Sequence, residues 1–159
     1  MAEENSNAEG AGQADGQQFA IQKVYLKDAS FETPHSPEVF RSEWRPEANV
    51  ELNTGQQQLG EGTYEVVVTV TVTAKLEEQT AYLCEVHQAG IFTITGMDSE
   101  MLEGLLGSYC PGLLFPYARE AISDLVTKGG FPPMVLSPVN FDALYAQRKA
   151  SEQQSQVQH

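Results

Sequence analysis

Residues 64–76, YEVVVTVTVTAKL, decide the fold. Tyr64, Val66, Val68, Val70, Val72 and Ala74 alternate with Glu65, Val67, Thr69, Thr71, Thr73 and Lys75. A period of two with β-branched residues on both sides specifies a β-strand. Leu76-Glu77-Glu78-Gln79 suits a hairpin turn, and a second strand starts at Thr80. There Tyr82, Cys84 and Val86 point one way, while Ala81, Leu83, Glu85 and His87 point the other. Working outward, weaker strands are predicted at 19–33 and 50–59. Between them lies a Pro-punctuated connection, TPHSPEVFRSEWRPEA, that carries Phe40 and Trp44. Connections of this length are uncommon and often functional.

After Gly96 the period becomes helical. Asp98 or Ser99 is a fitting cap for a helix with Met101, Leu102, Leu105, Leu106 and Tyr109 as its apolar stripe. Pro111-Gly112 is expected to break it. A second helix is predicted from about Pro116, burying Tyr117, Ala121, Ile122, Leu125 and Val126 and ending at Gly129-Gly130 behind Lys128. Then FPPMVLSPV reads as a loop, and Asn140 caps a last helix bearing Phe141, Leu144 and Tyr145. Strands first and helices afterwards define an α+β fold, a four-stranded antiparallel sheet followed by helices packed on one face.

The 159 residues suffice for one domain. Residues 1–17 carry Glu3, Glu4, Glu9 and Asp15 with no base, aromatic or β-branched residue, and are expected to be a disordered acidic tail. The domain is expected over 18–148, with a Gln- and Ser-rich flexible tail over 149–159. Acidic residues outnumber basic ones 22 to 9, for a net charge of −13. That excludes a nucleic-acid binder, which needs cations against phosphates, and an anionic membrane surface would repel it. The first 30 residues contain no apolar run fit for a signal peptide, and no stretch approaches the ~20 apolar residues of a membrane helix. Cys84 and Cys110 do not make a disulfide framework. The expectation is a soluble protein of the reducing cytosol.

Catalytic constellations are sparse. The sequence has no Gly-rich phosphate loop, nucleophile elbow or His-Glu-x-x-His. Cys84 and His87 are three apart, which on a strand sends them to opposite faces, so they read as a packed Cys and a surface His rather than zinc ligands. Cys110 fits a small buried hydrophobe. His35 has no partner identifiable from sequence. Glu77-Glu78 suits a solvated turn better than acid–base work, which needs burial to shift a carboxylate.

Several strings carry a resemblance: KDASFETP (27–34), EWRPE (43–47), YEVVVTVTVTA (64–74), YLCEVHQAGIF (82–92), LLGSYCPGLLFPYARE (105–120) and GGFPPMVLSPVNFDALY (129–145). Collinear over about residues 18–148, they resemble the bacterial protein-export chaperone family SecB. The resemblance implies homotetramers built as dimers of dimers, with helices sandwiched between outward-facing sheets. It implies no cofactor, no nucleotide and no chemistry. Such proteins hold secretory and outer-membrane precursors unfolded and deliver them to the ATPase SecA, whose basic, zinc-bearing C-terminal segment takes part. SecA-docking positions carried over are Asp28, Glu32, Leu83 and Glu85. Positions tied to tetramer assembly are Cys84, Val86 and Gln88. Client grooves lined by aromatics would draw on Phe31, Phe40, Trp44 and Tyr109, with Trp44 having the least core to enter.

Two other readings stay open at this stage. One is a SecB-like chaperone dedicated to a client such as an antitoxin. The other is a small α+β enzyme or ligand-binding domain, which a closed polar pocket with convergent ionisable groups would favour. An extended open apolar groove would favour a chaperone.

Overall fold

Strand β3 (Thr63–Leu76) is the residue 64–76 segment, and it turns at Glu77 (φ 55°) into β4 (Gln79–Thr95). The computed structural model describes residues 16–157. Strands β1 (Gln18–Glu32) and β2 (Glu47–Gly60) complete one antiparallel sheet in the order β1-β4-β3-β2. The expected fold class is therefore the observed one. The 1–17 tail falls almost wholly outside the described residues.

Alternation in the sequence becomes two unlike faces. On the inner face Val66, Val68, Val70, Val72 and Ala74 of β3 are all 0% exposed, alongside Tyr82, Cys84, Val86 and Phe92 of β4. Residues directly opposite in an antiparallel pair share a face, so Val70 opposite Val86 and Val72 opposite Cys84 stack into one apolar layer. Burying a Val or Leu side chain contributes ~1.5–3 kcal/mol. This layer is therefore the main source of stability.

A helical rod covers that layer: α1 (Ser99–Gly104), a π-helical segment (Leu105–Tyr109) and α2 (Cys110–Lys128) follow one another without a break. Asp98 caps it, its carboxylate accepting from the Met101 N–H at 2.8 Å. The break expected at Pro111-Gly112 does not occur. The widened turn, closed by the Cys110 N–H on the Leu105 carbonyl, directly precedes Pro111 and carries the rod past the residue that has no N–H to give. Leu106, Cys110, Leu114, Ala118, Ile122 and Val126 make the buried row, every fourth residue on one side of the rod. Met101, Tyr109 and Tyr117, expected inside, are 45–54% exposed, because the rod turns the row from Leu106 to Val126 to the sheet and all three lie off that row. Gly90 lets the rod approach, since a Cβ there would sit 2.9 Å from Leu114 Cδ2.

Gly129 ends α2, and a connection over 131–140 leads to α3 (Phe141–Val157), capped by Asn140 Oδ1 on the Ala143 N–H at 3.0 Å. The helix continues past Lys149, where the sequence suggests a tail. Lys149 is itself clasped to Glu103 of α1, and Asp142 accepts from Ser108. These polar ties fasten the first half of α3 to the rod.

Candidate functional site

Five aromatic rings meet at one end of the inner face. Phe131, 5% exposed, is the hub: its ring centroid lies 5.0 Å from Tyr82, 5.1 Å from Phe40, 5.2 Å from Trp44 and 6.3 Å from Phe31. Phe31 comes from β1, Tyr82 from β4, and Phe40 and Trp44 from the long connection between β1 and β2, where Phe40 belongs to a 3-10 turn (Glu38–Arg41). Such tilted and offset pairs are attractive beyond the area they bury. Glycines make the approach feasible. A Cβ on Gly129 would fall inside the Phe31 ring, and one on Gly130 would touch Phe40 at 3.2 Å. Phe40 nonetheless stays 49% exposed, so the cluster is solid beneath and open above.

Three of the four predicted groove aromatics are thus brought together, and one is not. Tyr109 sits at the far end of the sheet against Phe19, centroids 5.3 Å apart. Trp44 finds more core than a loop residue was expected to, stacking at 22° on Tyr82. Sequence reasoning missed Phe131 and the role of Tyr82. The Gly-Gly pair immediately before Phe131 was the signal available, since two adjacent residues without a Cβ mark a place where large groups come close.

The 131–140 connection runs from this cluster to a second apolar opening of about 280 Å³, lined by Val50, Leu52, Val70, Phe115, Leu136 and Val139. Val50 remains 48% exposed. A larger, polar cleft of about 1000 Å³ separates the Glu38–Arg41 turn from the β3–β4 hairpin, with Arg41, Arg45, Glu43, Glu77 and Glu78 on its walls. Both are open to solvent. Among the described residues no group of three or more His, Cys, Asp or Glu is placed to hold a metal.

The opposite face carries the acids. Strand β1 has bulges between Ile21 and Lys23 and between Leu26 and Asp28, and the second turns Asp28 outward. Register then sets Asp28 opposite His87, Ser30 opposite Glu85 and Glu32 opposite Leu83. Asp28, Glu32, Leu83 and Glu85 therefore share one outer face across two neighbouring strands. Leu83 is 36% exposed among them. Thr71 donates to Glu85 at 2.9 Å. Further along this face, the nearly buried Glu65 accepts from Tyr25 and pairs with Lys27 at 2.8 Å. The Lys27 ammonium, then the Tyr25 hydroxyl, hold the Glu65 carboxyl below its usual range. That same bond to Glu65 pushes Tyr25 up to about 12.

Cys84, Val86 and Gln88 are placed differently from a contact surface. They are 0%, 0% and 4% exposed, beneath the helical rod. Inward orientation of even-numbered β4 residues puts them in the protomer's own core. Burial pushes the Cys84 thiol up to about 11 and that of Cys110 to about 12, which keeps both as inert thiols.

These features define a one-sheet α+β domain whose two sides offer different adhesive chemistry, apolar openings on the helix side and carboxylates on the bare side. The family described as Preprotein translocase subunit SecB matches residues 12–152. A protein-export protein SecB from Nitrosococcus oceani is 57% identical over 155 residues, covering 96% of this chain and 94% of that one. One from Methylococcus capsulatus is 58% identical over 157 residues, covering 98% and 97%.

The chain belongs to the SecB family and is a protein-export chaperone. A Mycobacterium tuberculosis SecB-like chaperone, solved with a ChAD peptide from the HigA1 antitoxin, shares the fold with a TM-score of 0.64 at 16% identity, covering 76% of this chain and 90% of that one. No described helix is long and apolar enough to cross a membrane.

Proposed function

We propose that this protein is a cytosolic, nucleotide-independent holdase acting as a homotetramer, a dimer of dimers. It would bind unfolded secretory and outer-membrane precursors on its helix side and present its bare sheet face to SecA. The observation that carries this reading is the opposition of the two faces. Aromatic and aliphatic openings lie on one side (Phe40, Trp44, Val50), and outward carboxylates on the other (Asp28, Glu32, Glu85). Apolar burial contributes ~25 cal/mol per Å² and reads no sequence, so it suits a chaperone with many clients. Each contact is weak after the client's ordering cost, and several openings engaged by one long chain supply the avidity, ~100-fold or more. Preference for the unfolded chain shifts the client's equilibrium with no energy input.

Carboxylates on an uncovered face suit a cationic partner, raising encounter rates in a salt-sensitive way. Export, rather than service to one antitoxin, is favoured by identities near 57% to export chaperones against 16% to the antitoxin-bound one.

The test separates the faces. Asp28→Lys with Glu85→Lys should weaken SecA binding at least 10-fold in a titration at low salt and leave capture of an unfolded precursor unchanged. Equal loss of both activities would overturn the two-face reading.

A further inference from the structure

One imidazole stands on the acidic face, and the hydroxyl it bonds accommodates it neutral or protonated. His87 lies outward on β4, its side chain 31% exposed. Its Nε2 is 3.4 Å from Glu85 Oε2, and its Nδ1 is 3.1 Å from Thr69 Oγ1. Neutral, the imidazole accepts the Thr69 hydroxyl proton at Nδ1, with Nε2 in ion-pair range of Glu85. Protonated, it donates from Nδ1 to the Thr69 hydroxyl, which rotates to accept since a hydroxyl both gives and takes, and it sets a positive charge beside Glu85. No heavy atom has to move.

The charged groups facing His87 are few. Glu85 is on its own strand, and Asp28 stands directly opposite on β1. From β3 the facing residue is Thr69, which does not titrate. Lys27 is engaged by Glu65, as is Tyr25, so neither offsets the local acids. The helices pack on the other side of the sheet. A proton on His87 thus lands between two of the carboxylates assigned to SecA docking.

We propose that His87 is the positioning residue that sets the pH dependence of docking on this face: neutral, it leaves the Glu85 and Asp28 carboxylates uncompensated for a cationic partner, and protonated, it cancels one of the charges that partner needs. The proposal rests on the docking reading above. Imidazole is the side chain whose ordinary titration falls between pH 5 and 8. By linkage, a bound cation expels the same proton that weakens its binding.

The experiment measures the Kd for SecA at pH 8.0 and pH 5.5, at fixed ionic strength, with wild type and His87→Gln. The pH-induced weakening should be about four-fold larger in wild type, what one unit charge at ~5 Å contributes in a water-like dielectric. His87→Lys should remove the same increment by binding about four-fold more weakly than His87→Gln at pH 8.0. Calorimetry of the wild type at pH 6 in buffers of different ionisation enthalpy should register proton release on binding, which needs no variant. Identical pH ratios in wild type and His87→Gln, or no proton release, overturn the proposal. Failure of the underlying docking reading would look different: Asp28→Lys with Glu85→Lys would then bind SecA normally at pH 8.0.

Discussion

The two faces of β3 and β4 are built from the same 31 residues of strand, taken alternately, and behave as two different materials. Toward the helices, Val66, Val68, Val70 and Val72 are wholly sealed. Toward solvent, Thr69, Thr71 and Thr73 stand beside Glu85, His87 and Leu83. On the inner face a change of one methylene is felt, because packed interiors have no spare volume. On the outer face charge can be altered with little cost to folding, and a surface free to vary its charge is one on which partner choice can be written. The difference explains how a 159-residue chain can carry both a binding side and a docking side without one compromising the other.

The most severe way to break the comparison is to put the same charge on each face. Val70→Asp buries an unpaired carboxylate against Val86 and Leu52, and should destabilise by more than ~4 kcal/mol, enough to leave little folded protein. Thr73→Asp, three residues along on the outer face, should stay within ~1 kcal/mol of wild type. Urea denaturation followed by far-UV circular dichroism measures both. Comparable losses would mean that the outer face is structurally committed too.

A smaller effect sharpens the contrast between the aromatic cluster and the rest of the helical side. Gly129→Ala drives a methyl into the Phe31 ring and should cost ~1–3 kcal/mol, while shifting the emission of Trp44, the single tryptophan, through its shared hub Phe131. Gly104→Ala, on the same rod, has no atom within 4 Å of the new methyl and should stabilise by ~0.5–1 kcal/mol. If both variants moved the urea midpoint the same way, ring crowding at Gly129 would not be what holds the cluster.

How far these features were legible varies with the range of the forces that set them. The strands and the two faces of β3 followed from local alternation, which needs no knowledge of partners, whereas the order β1-β4-β3-β2 is set by pairing between distant segments. The Asn140 and Asp98 caps were legible because a cap is a contact three residues long. The unbroken helix through Pro111 was not. A π turn there depends on how the rod lies over the sheet, and a proline read alone signals a stop. The shared face of Asp28, Glu32, Leu83 and Glu85 was half legible: parity gave each pair, but the β1 bulge that joins the pairs has no residue signature. Tyr109 was grouped with Phe31 on the family resemblance, and the tertiary structure places it beside Phe19 instead. The aromatic hub needed long-range contacts, with the Gly129-Gly130 pair as its sole local trace.

The gentlest probe asks whether the outer face has any fixed structure of its own. Here the nearly buried Glu65 accepts from Tyr25 and pairs with the half-exposed Lys27. Tyr25 is held up to about 12 by its bond to Glu65, above the ~10 of an unfolded tyrosine. A group raised on folding contributes in full below its unfolded value and loses that contribution as pH climbs through the folded one. Glu65, held low by Lys27 and then Tyr25, works in the other sense: its contribution is present above the ordinary carboxylate range and disappears as pH falls through the depressed value. The stability difference between wild type and Tyr25→Phe should therefore be constant near pH 7–9 and shrink by on the order of 1 kcal/mol between pH 10 and 12, after allowance for solvent screening. Urea midpoints at pH 9 and pH 12 measure it. An unchanged difference would mean that the Tyr25 hydroxyl is solvated rather than bound, and that Glu65 is held on this face by Lys27 alone.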